Sequence, residues 1–241
     1  MAKRLRPAWL GAKDALFMLY SCCNCLLNLP GMTPKERRII KDILKESSKK
    51  NKINILEWGG GGSTIYYARY LKALDASFEW HSIENSAEWA GKVVRRLERY
   101  KLRDMAHIHL FEFTPFWQKP GWDWSDPRPE EFGLREEAER RYIIFPETLG
   151  LKFDVIIIDG RFRRRCLIEA QKFLAPSGCV ILHDAQKTHY HSPLNSYKYG
   201  KFFESKYIDV PYLHKSGDKK WCKMWIGSNE KKKFMKINRK G

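Results

Sequence analysis

Short apolar runs alternate with longer amphipathic stretches along this chain, and that alternation predicts an α/β fold. Ile53-Asn54-Ile55-Leu56-Glu57, Phe78 to Glu84, His107 to Phe113, Phe153 to Asp159 and Cys179 to His183 each read as a strand. The run Phe153-Asp154-Val155-Ile156-Ile157-Ile158 is nearly all apolar, as in a strand covered on both faces of a parallel sheet. Helical spacing of apolar positions marks Ser63 to Leu74, Ala87 to Tyr100 and Arg163 to Leu174. In the second of these, Trp89, Val93, Val94 and Leu97 fall on one face. Thr33-Pro34-Lys35-Glu36 has the parts of a capped start: Thr33 as N-cap, Pro34 at the first position, Glu36 three residues after the cap. That helix is predicted to run to about Lys50. Pro176-Ser177-Gly178 reads as a turn. Tyr207 to Leu213 and Trp221 to Ile226 are expected to pair as a hairpin across Ser216-Gly217-Asp218. The sum is a Rossmann-like, seven-stranded, mostly parallel sheet with helices on both faces and an antiparallel C-terminal hairpin.

Three segments stand outside this rhythm, which divides the chain into an N-terminal extension (1–32), a main domain (33–228) with an insertion at 114–150, and a basic C-terminal tail (229–241). The insertion holds Trp117, Trp122, Trp124 and four prolines before a charged helix expected around Glu130 to Tyr142. Loops this long are usually lids or binding elements. In the extension, Lys3, Arg4 and Arg6 precede an apolar run from Ala15 to Leu29, with Lys13 and Asp14 before it and no small-x-small cleavage pattern. It is read as a helix packed on the domain, with a membrane-surface anchor as the lesser alternative. No run is long enough for a transmembrane span.

Composition narrows the class. The 241 residues are 43% hydrophobic and 14% aromatic, enough for a sizeable core, so wholesale disorder is excluded. Forty-five Lys and Arg face 28 Asp and Glu, a net +17. Such an excess favours anionic partners: nucleic acid, anionic lipid or acidic metabolites. Seven of these bases, including Lys41 and Lys45, lie between Lys35 and Lys50, which is read first as a solvated face. Cys166, Cys179 and Cys222 sit apart in apolar or mixed segments and read as buried thiols. Cys22-x-x-Cys25 has no second Cys-x-x-Cys to complete a zinc site, so no metal is expected there, and the role of Cys22, Cys23 and Cys25 stays open. Reduced thiols point to a cytoplasmic protein.

Ligands of parallel α/β sheets bind at the carboxyl ends of the strands. That rule sets Glu57 to Ser63, Glu84, Phe113-Thr114, Asp159-Gly160 and His183-Asp184 along one rim. Four glycines, Gly59 to Gly62, between a strand and a helix allow close approach of a ligand to backbone. No Gly-Lys-Ser/Thr follows, which excludes a Walker loop and leaves a nucleotide-like ligand, a dinucleotide included. Glu84, 25 residues past Gly59, is placed to accept the hydroxyls of a ribose.

At these residues the chain resembles the class I S-adenosylmethionine-dependent methyltransferases. Ile55-Leu56-Glu57-Trp58-Gly59-Gly60-Gly61-Gly62-Ser63-Thr64 is similar to their first motif and His81-Ser82-Ile83-Glu84-Asn85 to the acidic second. Phe153 to Arg161 resembles the fourth-strand motif, and Leu174 to Asp184 the fifth-strand segment. The resemblance implies S-adenosylmethionine as cofactor. Glu57, Gly59, Gly60, Gly61 and Ser63 would lie at its methionine part, Glu84 on the ribose, Asn85 and Thr114 near the adenine, and Asp159 at the methyl end. Candidate catalytic residues are Asp159, His183 and Asp184, with His183 as a base. Arg161 and Trp117 are the candidates for substrate contact, by ion pairing and stacking. No third ligand joins Asp159 and Asp184, so no metal is expected. The reading is methyl transfer to a small or anionic molecule. An RNA or DNA methyltransferase and a non-catalytic cofactor-binding interaction module are the alternatives, with a nicotinamide-dependent oxidoreductase behind them. The oligomeric state is not legible.

Overall fold

The structure is a computed structural model and describes residues 29–113, 137–206 and 221–231. Its elements run α1 (Pro34–Ser47), β1 (Ile53–Trp58), α2 (Gly62–Ala73), β2 (Phe78–Glu84), α3 (Ala87–Arg99), β3 (Ala106–Leu110), α4 (Glu137–Ile144), β4 (Phe153–Ile158), α5 (Arg163–Phe173), β5 (Leu174–Leu182), β6 (Tyr199–Lys206) and β7 (Trp221–Ser228). The strands make one sheet in the order β3-β2-β1-β4-β5-β7-β6. The first five strands of that order are parallel. β7 is antiparallel to both β5 and β6. The chain winds outward from β1 to β3, then returns to β4 on the other side of β1. A crevice therefore opens at the carboxyl ends of β1 and β4, where the winding reverses.

Alternation of side chains along the strands builds two apolar layers. Ile55, Val155, Ile157 and Ile181 pack with Ile40, Leu44, Tyr67, Leu71 and Leu97 of α1, α2 and α3. Leu56, Trp58, Ile156, Ile158 and Leu182 face Tyr142, Leu167 and Ala170 of α4 and α5. The start of α1 is as expected: Thr33 and Glu36 form a reciprocal capping box with Pro34 in the first turn. Cys166, Cys179 and Cys222 are buried thiols. No helix among the described residues is long and apolar enough to cross a membrane.

Four local expectations change. The strand that pairs with β7 is β6, from Tyr199 to Lys206; the expected partner, 207–213, lies outside the described residues. β6 ends the sheet order and buries mainly Phe203, so it does not need the dense apolar pattern that favoured 207–213. β3 ends at Leu110 rather than Phe113. Pro176-Ser177-Gly178 lies inside β5, where pairing steps from Phe153–Leu174 to Val155–Cys179. Gly178 permits this, since a Cβ there would meet the Phe153 carbonyl oxygen at 2.7 Å. The charged helix is described from Glu137 to Ile144 rather than from Glu130 to Tyr142, and its Tyr142 and Ile143 join the core.

Candidate active site

β1 delivers the glycine loop to the crevice. Gly59 has φ +96°, and a Cβ there would lie 2.6 Å from the Gly160 Cα. Conversely, a Cβ on Gly160 would fall 2.7 Å from the Gly59 nitrogen and 2.1 Å from the Tyr142 hydroxyl. The loops after β1 and β4 thus touch backbone to backbone, and glycine is needed on both sides. The Gly59 N–H donates to the Ile83 carbonyl at 2.8 Å, tying the loop to β2 as well.

Glu57 lies beneath this loop, not on the cleft. It is fully buried and accepts hydrogen bonds from the Ser63, Thr64 and Ser82 hydroxyls and from the Trp80 indole N–H. Burial pushes its carboxyl pKa up, and the four donors only partly offset that. Thr64 Oγ1 also accepts the Gly61 N–H at 3.0 Å, so the Glu57 network holds the loop from below.

The cleft above has a volume of about 470 Å³, within the usual range for small-ligand sites. Gly59 to Ser63 form one wall, Glu84, Asn85 and Ser86 a second, and Asp159, Gly160 and Arg161 a third, with Gly31 at the margin. Glu84 Oε1 accepts the backbone N–H groups of Asn85 and Ser86 at 2.9 and 2.8 Å. Burial nevertheless raises the Glu84 pKa, against those two bonds and the charge of Arg161. Asn85 Nδ2 reaches the Phe113 carbonyl at 3.4 Å. Thr114 and Trp117 lie outside the described residues.

Helical spacing sets Trp89 on one face with Val93, Val94 and Leu97, of which Val93 and Leu97 are buried. Trp89 is instead 42% exposed, lines the cleft and donates its indole N–H to the Gly60 carbonyl at 2.8 Å. Helical periodicity points it inward, but it sits in the first turn of α3, which overhangs the glycine loop. A tryptophan three residues after the N-cap Ser86, close behind the second motif, was the available signal.

Of the three candidate catalytic residues, Asp159 reaches the cleft, while His183 and Asp184 stand behind it. His183 is buried, with Nδ1 2.8 Å from Asp159 Oδ1 and Nε2 3.8 Å from Glu36 Oε2. Burial disfavours its charge, but Asp159 and the other acids outweigh that and hold its pKa well above the ordinary value. Its ring is engaged by Asp159 behind the cleft and does not line it. Burial likewise opposes ionisation of Asp159 and Asp184, and His183 and Arg163 overcome it. Asp159 ends below the usual carboxylate range and Asp184 falls to about 2.

Arg163, in the first turn of α5, was missed as a member of this cluster. Its Nε donates to the Gly160 carbonyl, one terminal nitrogen to the His183 carbonyl and Asp184 Oδ2, and the other to the Asp159 carbonyl, with Asp159 Oδ1 ion-paired at 2.9 Å. Asp159, His183 and Asp184 bring ligand-type atoms within 4.8 Å of one another. The guanidinium already bonded to both carboxylates means that this group does not fit a divalent cation.

The sheet order, with its antiparallel C-terminal hairpin, is that of a Rossmann-like methyltransferase fold. Among solved structures, the chain is similar to an O-methyltransferase from Bacillus cereus in complex with SAH, at 17% identity over 91% of this chain and 94% of that one, TM-score 0.51. It is also similar to a spermidine synthase in complex with the transition-state analogue AdoDATO, at 11% identity over 83% of this chain and 62% of that one, TM-score 0.51. A third is the O-methyltransferase TomG from Streptomyces achromogenes in complex with SAM, at 14% identity over 91% and 92%, TM-score 0.49. These are likenesses of fold. No family model matches the sequence, and no curated protein matches it either.

Proposed function

We propose that the chain is an S-adenosylmethionine-dependent methyltransferase acting on a small anionic acceptor. The observation that carries this is the Glu84 carboxylate, fixed by two backbone N–H groups, in one cleft with the glycine loop. Glu84 would accept the two ribose hydroxyls. Backbone of Gly59 to Gly61 would receive the amino-acid part of the cofactor, with Asn85 and the Trp89 ring toward the adenine. The bound cofactor supplies an electrophilic methyl group, so the protein mainly aligns the reactants and excludes water. Asp159 would stand at the methyl end and Arg161 would pair with an acidic group of the acceptor.

His183 stands behind the cleft with Nδ1 engaged by Asp159, and the charges of His183 and Arg163 lower the Asp159 pKa and with it the strength of that carboxylate as a base. The reading therefore favours an acceptor that has no proton to lose at its reacting atom, such as a carboxylate or other ready anion. A nucleic-acid acceptor is the second reading, favoured by the net charge of +17 and the basic outer side of α1, where Lys41 lies over the Tyr66 and Tyr70 rings. Affinity that falls steeply with salt would mark it. The buried thiols favour a cytoplasmic setting.

Calorimetric titration with S-adenosylmethionine and S-adenosylhomocysteine tests the cofactor site. Micromolar binding, weakened roughly tenfold or more by Glu84→Ala, is expected from loss of a charge-assisted pair of hydrogen bonds. Folded protein that binds neither compound, or a Glu84→Ala variant that binds both as well as wild type, refutes it.

A further inference from the structure

We infer that the Arg163 guanidinium is a built-in cation, filling the place between Asp159 and Asp184 that a divalent metal would need, and that it positions Asp159 at the cleft. The inference rests on ion-pair geometry and stands whether or not the cleft transfers methyl groups.

A divalent ion needs several oxygens turned toward one point, at roughly 2.0–2.6 Å. Here three carboxylate oxygens are already committed to N–H donors. Asp159 Oδ1 meets Arg163 at 2.9 Å and His183 Nδ1 at 2.8 Å. Asp184 Oδ2 meets Arg163 at 3.0 Å, and Asp184 Oδ1 accepts from Gln186 Nε2 at 3.2 Å. A metal would have to enter beside a guanidinium of the same sign, whose side chain is only 12% exposed, and displace the His183 ring from Asp159 Oδ1. Like charges in so sheltered a place repel strongly.

Arg163 also does what a metal cannot. It makes four hydrogen bonds, one to the Asp184 carboxylate and three to the carbonyls of Asp159, Gly160 and His183, and is ion-paired with the Asp159 carboxylate as well. Those carbonyls belong to the residues just beyond β4 and β5, so one planar group ties both strand ends together. The backbone around it is locally strained. Phe162 and Asp184 both adopt left-handed φ, at 52° and 54°, a conformation that non-glycine residues keep only where surroundings enforce it. The turn at Phe162 directs the Arg163 side chain back over the β4 end, and the bonds at Asp184 close the other side. Lysine offers three donors on a point charge and cannot reproduce the pattern.

The test is Mn²⁺ binding, followed by electron paramagnetic resonance, to wild type, Arg163→Met, Asp184→Asn and the double variant, with thermal midpoints recorded with and without Mn²⁺. Wild type is expected to bind no Mn²⁺ below about 1 mM, as a site already filled by a cation should. Arg163→Met should gain a site at least about tenfold tighter, with a midpoint that rises on adding Mn²⁺, and the double variant should lose both effects. A loss of stability alone would not produce this metal-dependent gain. Micromolar binding to wild type that Asp184→Asn abolishes overturns the inference, as does a folded Arg163→Met protein that gains nothing. If Arg163→Met does not fold, the wild-type and Asp184→Asn titrations decide alone.

Discussion

Acid should weaken this fold through His109. On β3, His109 lies against the Phe145 ring, with centroids 4.4 Å apart, and its Nε2 is 3.0 Å from His81 Nδ1. His81 in turn places Nε2 3.0 Å from Glu79 Oε1, and Lys52 is paired with Glu79. Glu79 can only accept, so His81 carries its proton on Nε2 and His109 donates to His81 Nδ1. Charging His109 puts a cation beside His81 and His107 in a half-buried place. Burial is the main cause, those two rings the lesser, of its pKa falling from 6.5 to about 4. A folded pKa below the unfolded one gives stability that is present above about pH 6.5 and lost as pH falls through 4. Discounted for solvent screening in this half-buried place, the depression corresponds to about 1–2 kcal/mol lost between pH 7 and pH 5. Urea denaturation at pH 7, 6 and 5 measures this directly. His109→Gln keeps a donor toward His81 and does not titrate, so its stability should fall by about 1–2 kcal/mol less over that interval. Equal acid losses in wild type and variant would refute the assignment.

Other outcomes follow from the loop geometry. Gly59→Ala combines a φ of +96° with a Cβ 2.6 Å from Gly160, so a loss of about 3 kcal/mol or more in chemical denaturation is expected, with the cleft deformed. Glu57→Ala leaves the Trp80, Ser63, Thr64 and Ser82 donors around a void and should cost about 3–5 kcal/mol. Glu57→Gln, which keeps an oxygen toward Trp80, should cost about 1–2 kcal/mol, and equal losses in the two variants would argue against the network. Trp89→Phe removes the bond to the Gly60 carbonyl but keeps a ring on the cleft, so S-adenosylhomocysteine affinity measured by calorimetry should fall about fivefold while the denaturation midpoint barely moves.

The parts legible in the sequence were those governed by local chemistry or by the sheet rule. Thr33 and Glu36 cap their own helix with neighbouring atoms, so three residues suffice to see it. Glu84, Asp159 and the glycines reach one cleft because parallel strands point their carboxyl ends the same way. What was not legible depended on contacts far apart in sequence. Gly160 looks like an ordinary turn glycine until Gly59 is seen against it. Gly200, in the strand that was misplaced, is needed because a Cβ there would strike the Trp225 ring at 2.5 Å. In the run Arg161 to Arg165, composition cannot say which arginine turns inward. The left-handed turn at Phe162 decides it, sending Arg161 to the cleft and Arg163 into the cluster behind.

These long-range contacts bear on how the cleft can vary. Its floor is made where the β1 and β4 loops touch through Gly59 and Gly160, and nothing larger than glycine fits on either side. Beneath the glycine loop, Glu57 is saturated with donors; behind Asp159, Arg163 is saturated with acceptors. A fully satisfied polar network resists single changes, because each substitution leaves a partner unpaired in a sheltered place. The loop and the β4 end are therefore held rigid from below, as a site that aligns two reactants requires. Freedom to change lies with side chains that line the cleft without belonging to either network, among them Arg161 and Trp89. Substitutions at those two positions should shift ligand preference with little loss of stability, while those at Glu57 or Arg163 should do the reverse.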